Sequence, residues 1–204
     1  MIGTLRTVSG EETQAKGADG ARRAKVWLES TTRVNVQWVN PHPVAVPKLT
    51  FKWRTGSAFS FDLGGVLLGE DLHGQEFLAE CKKYAKPSDQ GTLYVKYLAQ
   101  CYRAYIERPD RCDNFFWITW SPFSSNRWEE LLTASYVREA VLTHHERALG
   151  TSSSEEAKTE VSDDLCKDVA SRLWMILLTD RQEKLQLTRE HLGVIRKFDT
   201  ERGL

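Results

Sequence analysis

Two strand-like stretches separated by a short polar segment constrain the fold of this chain more than any other feature. The first, AFSFDLGGVLL, covers residues 58–68, and the second, QEFLAECK, covers residues 75–82. The segment between them, GEDLHG, begins and ends with glycine, so the pattern predicts a β-hairpin with a long loop. Side chains at positions i and i+2 of a strand point to the same face. Glu80 and Lys82 are therefore predicted to project together, with Cys81 turned to the other face.

Asp62 interrupts the first stretch and gives the hairpin a second carboxylate. If the two strands pair in the simplest register, Asp62 meets Glu80 and Lys82 from the neighbouring strand. Hard oxygen ligands hold Mg²⁺, and a cationic side chain near a scissile phosphate assists attack by water. A carboxylate in a largely apolar strand is also rare unless it is paired or bound to a metal. The alternative is a solvated Glu80–Lys82 pair at the end of a strand, without a catalytic role.

An acid on one strand followed by E-x-K on the next resembles the signature of the PD-(D/E)XK nuclease superfamily. The resemblance covers residues 17–120, and Phe61 stands where the family usually has proline. It implies that Asp62, Glu80 and the backbone carbonyl of Cys81 hold Mg²⁺ or Mn²⁺. It further implies that Lys82 orients the attacking water and stabilises the negatively charged phosphate of the transition state.

Two pairs of residues after this motif are candidate substrate contacts. Lys83 and Lys86 follow the E-x-K tripeptide and would add positive charge beside it. Gln90 and Tyr94 have a Q-x-x-x-Y spacing, which resembles a downstream motif of RecB-like members of the superfamily. On a helix these two side chains lie one turn apart. The alternative for both pairs is an ordinary solvated surface.

Asp71 is an alternative to Asp62 as the first acid. It comes nine residues before Glu80 and lies within the segment that is predicted to form the hairpin loop. A loop position would separate it from the strand face that carries Glu80 and Lys82. Asp62 is therefore the preferred ligand.

Composition and charge limit the classes of function. The chain has 204 residues, of which 41% are hydrophobic, enough for a sizeable core. Lys+Arg and Asp+Glu both number 28, so the formal net charge is zero. Because proteins that bind nucleic acids are usually basic overall, we expect this chain to bind them only through a local basic patch.

The cysteines give no sign of a metal or redox site. The four cysteines have no C-x-x-C spacing, which argues against a zinc ribbon and a redox motif: Cys81, Cys101, Cys112 and Cys166. No apolar run approaches the roughly 18 residues of a membrane span, and the polar start of the chain does not indicate a signal peptide. We therefore expect a cytoplasmic protein with reduced thiols and no membrane association.

The order of the segments predicts an α/β fold with a mixed central β-sheet flanked by helices. Strands are predicted at residues 34–39, 49–53, 58–68, 75–82, 114–120 and 173–179, the last being a buried strand or a continuation of the preceding helix. Helices are predicted at residues 17–32, 88–107, 126–148, 162–172 and 188–198, with residues 1–16 and 149–160 irregular. The strands ending at Trp53, Leu68 and Lys82 are expected to form an antiparallel unit that carries the acids.

Three regions are expected along the chain. Residues 1–149 would form the nuclease-like core, residues 150–160 a flexible loop, and residues 161–204 an α/β extension that packs on the core or on a partner. The sequence thus predicts a Mg²⁺- or Mn²⁺-dependent nuclease that hydrolyses DNA, with its C-terminal third available for a homodimer or another protein. The resemblance to the superfamily implies a setting in a defence or restriction system. The alternative is a catalytically inactive adaptor that keeps the nuclease fold and binds nucleic acid or a protein subunit.

Overall fold

A mixed β-sheet of five strands forms the centre of the protein. The structure is a computed structural model that describes residues 8–83 and 89–202, with side chains from residue 17 onward. Its strands are β1 (Val34–Val39), β2 (Thr50–Lys52), β3 (Ala58–Ser60), β4 (Leu63–Leu67), β5 (Glu76–Lys82), β6 (Asn114–Thr119) and β7 (Leu173–Leu177). β2 and β3 pair with each other, whereas the other five strands form the central sheet.

Helices cover both faces of this sheet. They are α1 (Val8–Thr31), α2 (Val46–Leu49), α3 (Gln90–Glu107), α4 (Ala134–Thr143), α5 (His145–Ala148), α6 (Ser154–Glu160), α7 (Asp163–Ala170) and α8 (Arg189–Arg202). Across the part of the chain that the structure describes, no helix combines the length and the apolar character that a membrane span requires.

The order of strands across the central sheet is β1-β4-β5-β6-β7. β4 runs antiparallel to both of its neighbours, β1 and β5, whereas β5, β6 and β7 run parallel to one another. Parallel neighbours need a long crossover connection, and α3 supplies it between β5 and β6. The predicted α/β fold with a mixed central sheet flanked by helices is therefore confirmed.

The two faces of the sheet bury separate apolar clusters. Leu78 of β5 contributes to the larger cluster, which includes residues of α3, α4 and α7. Phe77, Ala79 and Cys81 contribute to the smaller cluster, which α1 covers. Since side chains alternate along a strand, Glu80 lies on the face of Leu78 and of the larger cluster.

The first strand of the antiparallel unit differs from the prediction. The sequence predicts residues 49–53 at this position, but β1 occupies it, and β2 pairs with β3 outside the central sheet. Phe51 of β2 and Phe59 of β3 are buried in the larger cluster, so this hairpin packs over one face of the sheet instead of extending its edge. Gly65 of β4 allows β1 to approach, because a Cβ there would overlap the carbonyl oxygen of Asn35.

The strand predicted over residues 58–68 is divided into β3 and β4 by Phe61 and Asp62. Phe61 is buried in the larger cluster, whereas Leu63 is buried in the smaller one beneath α1. The chain therefore passes from the β2–β3 hairpin into the central sheet at Asp62. Asp62 therefore lies where the β2–β3 hairpin meets the central sheet.

Several helical boundaries also differ from the prediction. Residues 8–16, expected to be irregular, belong to α1. The helix predicted over residues 126–148 is broken into a 3-10 segment (Ser125–Glu130), α4 and α5, because the side chain of Thr133 caps α4. Residues 154–160, expected to lie in a loop, form α6, which the side chain of Ser153 caps. Helix caps of this kind start a new helix within a polar stretch.

The C-terminal part contributes to the same sheet and core. The strand predicted over residues 173–179 is confirmed as β7, although it is an edge strand in which only Leu173 is fully buried. The predicted cap of α7 is also present, since the Ser162 side chain accepts from the backbone N–H of Leu165. Val169 of α7 packs in the larger cluster.

Candidate functional site

Asp62 and Glu80 lie near each other at one end of the β4–β5 pair. The regular pairing of the two strands ends at Leu63, which lies opposite Ala79, so Asp62 lies just beyond the end of the ladder and not in a directly paired position. Its carboxyl is nevertheless close enough to Glu80 to raise the pKa of that group. The structure therefore brings the two predicted acids together, although Asp62 is not in the regular register that the simplest hairpin pairing predicts.

Asp62 is fixed to β5 by both its backbone and its side chain. Its backbone N–H donates to the carbonyl oxygen of Ala79 at 2.9 Å. Its Oδ2 accepts from the backbone N–H of Cys81 at 2.8 Å. Because β4 begins only at Leu63, no backbone carbonyl of that strand accepts from Cys81, and the Asp62 carboxylate accepts this hydrogen bond instead. These contacts tie the first acid to the strand that carries the second.

Glu80 and Lys82 form an ion pair on the same face of β5. Oε1 of Glu80 contacts Nζ of Lys82, and the two side chains are 13% and 18% exposed. Cys81, between them, is buried in the smaller cluster on the other face. This alternation agrees with the predicted orientation of all three residues.

Burial makes both carboxyls weaker acids. Burial raises the pKa of Glu80, and the neighbouring Asp62 carboxyl raises it further. The ammonium of Lys82 lowers this pKa, but by less than the other two effects raise it. Burial also raises the pKa of Asp62, and this exceeds the lowering by Lys82 and by the hydrogen bond from Cys81. Two acids in a poorly solvated place repel each other when both are ionised. A cation between them would relieve that repulsion.

The Cys81 thiol is not available as a nucleophile. Burial raises its pKa well above the usual value, and the nearby carboxyls of Asp62 and Glu80 raise it further. A thiolate rather than a thiol is the reactive species. Cys81 can therefore contribute to the site only through its backbone.

Glu80 and Lys82 open into a cleft of about 380 Å³. Its floor is formed by β5 and α3, and one wall is formed by the β2–β3 hairpin. Lining residues from these elements and from α5 are Trp53, Ser57, Ala58, Phe59, Ser60, Glu80, Lys82, Leu93, Lys96, Gln100 and Arg147. Two cations that the sequence analysis did not identify, Lys96 and Arg147, therefore accompany Lys82 in the cleft.

Sequence periodicity gave a partial signal for one of these cations. Leu93, Lys96 and Gln100 follow the i, i+3, i+7 spacing of a single helical face, and this face of α3 lines the cleft. Arg147 has no comparable signal, because it comes from a helix far along the chain. Only the packing of α5 beside the hairpin brings it to the cleft.

Of the two lysines predicted to contact substrate, Lys83 points away from the cleft. Its Nζ contacts Oδ2 of Asp19 in α1 at 2.6 Å, on the opposite face of the sheet. This contact also helps to hold the pKa of Asp19 below its usual value. Lys86 lies outside the described residues.

Gln90 and Tyr94 are both buried and do not line the cleft. Oε1 of Gln90 accepts from the hydroxyl of Thr119 at 2.7 Å. The hydroxyl of Tyr94 donates to the carbonyl of Leu131 at 2.7 Å, within an aromatic part of the core. The helix face that carries the Q-x-x-x-Y spacing therefore packs inside the protein, and neither of the two candidate positions for substrate contact reaches the solvent.

Asp71 does not compete with Asp62. It lies in the 3-10 segment Glu70–Leu72, within the connection between β4 and β5. Glu80 lies near the other end of β5, so the length of the strand separates the two acids.

The donor set at this end of β5 fits a hard cation. The contacts described above engage Oδ2 of Asp62 and Oε1 of Glu80, so a metal at this place would use Oδ1 of Asp62, Oε2 of Glu80 and the Cys81 carbonyl. In residues 8–83 and 89–202, no group of three or more His, Cys, Asp or Glu residues is arranged to hold a metal. Mg²⁺ commonly takes only one or two carboxylates from a protein and keeps several waters, which suits this two-carboxylate arrangement.

Comparisons with known proteins found no match to this chain. No family model matches it, no curated protein matches it, and no solved structure matches it. The functional interpretation therefore rests on the geometry and the electrostatics of the site itself.

Proposed function

We propose that the protein is a Mg²⁺- or Mn²⁺-dependent nuclease that hydrolyses phosphodiester bonds of DNA. The observation that carries the proposal is the convergence of Asp62, Glu80 and Lys82 at one end of β5, beside a cleft with further cations. An antiparallel unit that carries the acids and a crossover through α3 to a further strand also support the proposal, although β1 takes the place of the strand that was expected at residues 49–53.

The carboxylates of Asp62 and Glu80, with the backbone carbonyl of Cys81, would hold the cation. A bound divalent cation supplies Lewis-acid stabilisation of the charge that develops on phosphoryl oxygens. The hydrogen bond from Cys81 to Asp62 keeps one ligand in place before any metal binds. Such preorganisation reduces the free energy that binding must spend on ordering ligands.

Lys82 would act on the phosphate and on the attacking water. Its ammonium is paired with Glu80. With Glu80 engaged as a ligand, the ammonium would stabilise the negative charge of the phosphate and orient the water. A function in a defence or restriction system is the setting that the resemblance implies for such an enzyme.

A cleavage assay with matched variants tests the proposal. Supercoiled plasmid, linear duplex and single-stranded DNA are incubated with Mg²⁺ or Mn²⁺ and with wild-type protein, Lys82→Ala or Lys167→Ala. Lys167 is an exposed lysine of α7 that pairs with Asp164, so its variant removes the same charge far from the cleft. We expect the wild type and Lys167→Ala to cleave DNA and Lys82→Ala to be inactive. Equal activity of Lys82→Ala and the wild type would refute the assignment.

A catalytically inactive adaptor is the second candidate, and the zero net charge of the chain favours it. An adaptor needs no functional metal site, so it would bind DNA or a protein without a response to Mn²⁺. Failure of Mn²⁺ to change the melting temperature, together with absence of cleavage on all three substrates, would favour the adaptor over the nuclease.

A further inference from the structure

The β2–β3 hairpin, which forms one wall of the cleft that contains Glu80, is hydrogen-bonded to two helices. The backbone N–H of Lys52 in β2 donates to Oε2 of Glu107 in α3 at 2.7 Å. At the turn of the hairpin, the backbone N–H of Arg54 donates to the carbonyl of Arg147 in α5 at 2.8 Å. The hairpin is thus tied to α3 and to α5, and both helices contribute residues to the cleft.

Packing reinforces these two hydrogen bonds. Trp53 and Phe59 of the hairpin are buried in the larger cluster, with ring centroids 4.8 Å apart. Gly150, after α5, has φ +86° and lies so close to Arg54 that an added Cβ would be 2.7 Å from Cγ of Arg54. Withdrawing the hairpin would expose the aromatic rings and break these contacts. The wall of the cleft is therefore a fixed part of the fold.

The volume of the cleft limits what can enter. The cleft measures about 380 Å³, which falls in the range of pockets for small molecules, about 300 to 1,000 Å³. A cleft of this volume takes a short run of linked sugars and phosphates, whereas the paired strands of an intact duplex do not fit inside it. A single strand is much narrower.

The charges inside the cleft favour a polyanion. Neither Lys96 nor Arg147 forms a salt bridge with a residue in the described part of the chain, whereas Lys83 and Arg111, which lie outside the cleft, are both paired. Lys96 is close enough to Glu80 to help lower its pKa. Ser57, Ser60 and Gln100 add polar groups to the lining. Backbone phosphates are the ligands that such a groove attracts.

We propose that the cleft takes a single DNA strand, such as an unpaired region or a frayed end, and excludes the interior of a duplex. Lys96 and Arg147 bind phosphates next to the one that is attacked, and the hairpin excludes the complementary strand. This inference rests on the proposed nuclease function, and it names the substrate class of the same site.

Binding without metal tests the inference independently of catalysis. Fluorescence anisotropy is measured in EDTA with a labelled single strand and with a blunt duplex of the same sequence, over a series of salt concentrations. The wild type should bind the single strand at least about tenfold more tightly than the duplex. Lys96→Gln and Arg147→Gln should each weaken this binding and lower the salt slope by about 0.7 for each phosphate that is no longer neutralised.

Matched controls remove the same charges elsewhere. Lys167→Gln on α7 and Arg196→Gln on α8 alter exposed helix positions outside the cleft, and both should bind as the wild type does. Equal affinity for the duplex and the single strand, or Lys96→Gln and Arg147→Gln proteins that match the controls, would overturn the inference.

Cleavage of circular DNA separates this inference from the proposed function. With Mn²⁺, a single-stranded circle should be cut while a relaxed, covalently closed duplex circle stays intact. Nicking of the relaxed duplex by the wild type but not by Lys82→Ala would overturn the single-strand inference and support the nuclease. Single-strand binding that depends on Lys96 and Arg147, without cleavage of any DNA, would support the inference and refute the nuclease.

Discussion

Asp62 accepts the backbone N–H of Cys81 through Oδ2 at 2.8 Å, so the residue between Glu80 and Lys82 holds the acid that faces them. The bond crosses from the start of β4 to the end of β5, where the regular ladder has stopped. It gives Asp62 a structural task besides the proposed metal ligation. The two tasks can be separated, because a neutral side chain of the same shape can accept the bond without binding a cation.

Substitutions of Asp62 should show this separation. Asp62→Asn keeps an oxygen acceptor for Cys81, whereas Asp62→Ala leaves that buried N–H without a partner. Loss of a partner for a buried polar group costs about 1–3 kcal/mol, so the free energy of unfolding should be lower for Asp62→Ala than for Asp62→Asn by that amount. Urea denaturation in EDTA measures it. Equal stability of the two variants would mean that the hydrogen bond does not contribute.

Mn²⁺ should stabilise the folded protein. A ligand that binds only the native state adds RT ln(1 + [L]/Kd), about 2.7 kcal/mol at one hundred times Kd. We expect the melting temperature to rise with Mn²⁺ concentration in the wild type. Glu80→Gln and Asp62→Asn should each abolish this rise, since each removes one of two carboxylates. An undiminished rise in both variants would place the cation elsewhere.

Lys82→Ala should separate metal binding from catalysis. It removes the ammonium that pairs with Glu80 but leaves both carboxylates, so Mn²⁺ should bind at least as tightly as in the wild type. Cleavage should fall by about 10²–10³-fold, the range for removing one group that stabilises transition-state charge. Isothermal titration with Mn²⁺ and single-turnover cleavage measure the two effects. Loss of Mn²⁺ binding in this variant would instead give Lys82 a structural role.

The raised pKa values predict how stability changes with pH in the metal-free protein. The folded pKa of each acid, Asp62 and Glu80, lies above its ordinary value, so the folded state favours the protonated form. This contribution to stability is fully present below the unfolded values near pH 4 and is lost as the pH rises through the folded pKa. The double variant Asp62→Asn/Glu80→Gln lacks both titrating groups and serves as the reference. Relative to it, the free energy of unfolding of the wild type should fall as the pH rises from about 4 towards neutrality.

Chemical denaturation of both proteins in EDTA across this range measures the difference. Parallel stability profiles would show that the two acids are not perturbed in the folded protein. Saturating Mn²⁺ should reverse the trend for the wild type, because the cation binds the ionised acids.

The pattern of the sequence was sufficient for the hairpin and for the grouping of its acids. Alternation within residues 75–82 determined that Glu80 and Lys82 share a face and that Cys81 does not, because the pleat of a strand has a period of two. The simplest pairing of the two strand-like stretches then placed Asp62 near Glu80 and Lys82. The mixed sheet also followed, since the spacing of helical and strand-like segments requires a crossover between parallel strands.

Sequence could not decide which strand completes the antiparallel unit. Residues 49–53 and β1 have similar strand patterns, and the choice depends on where Phe51 and Phe59 can be buried. Those aromatic side chains fill one face of the sheet, so β2 and β3 form a separate layer above it.

The identity of the cleft residues was also a tertiary outcome. Gln90 and Tyr94 occupy one side of α3 and Lys96 another, and the rotation of the helix about its axis determines which side meets solvent. Packing of Tyr94 into the aromatic core fixes that rotation. Local sequence thus determined the elements and the paired acids, because hydrogen bonding and side-chain alternation act over neighbouring residues. The burial of aromatic surface acts between distant segments, and it decided how the layers stack and which cations face Glu80.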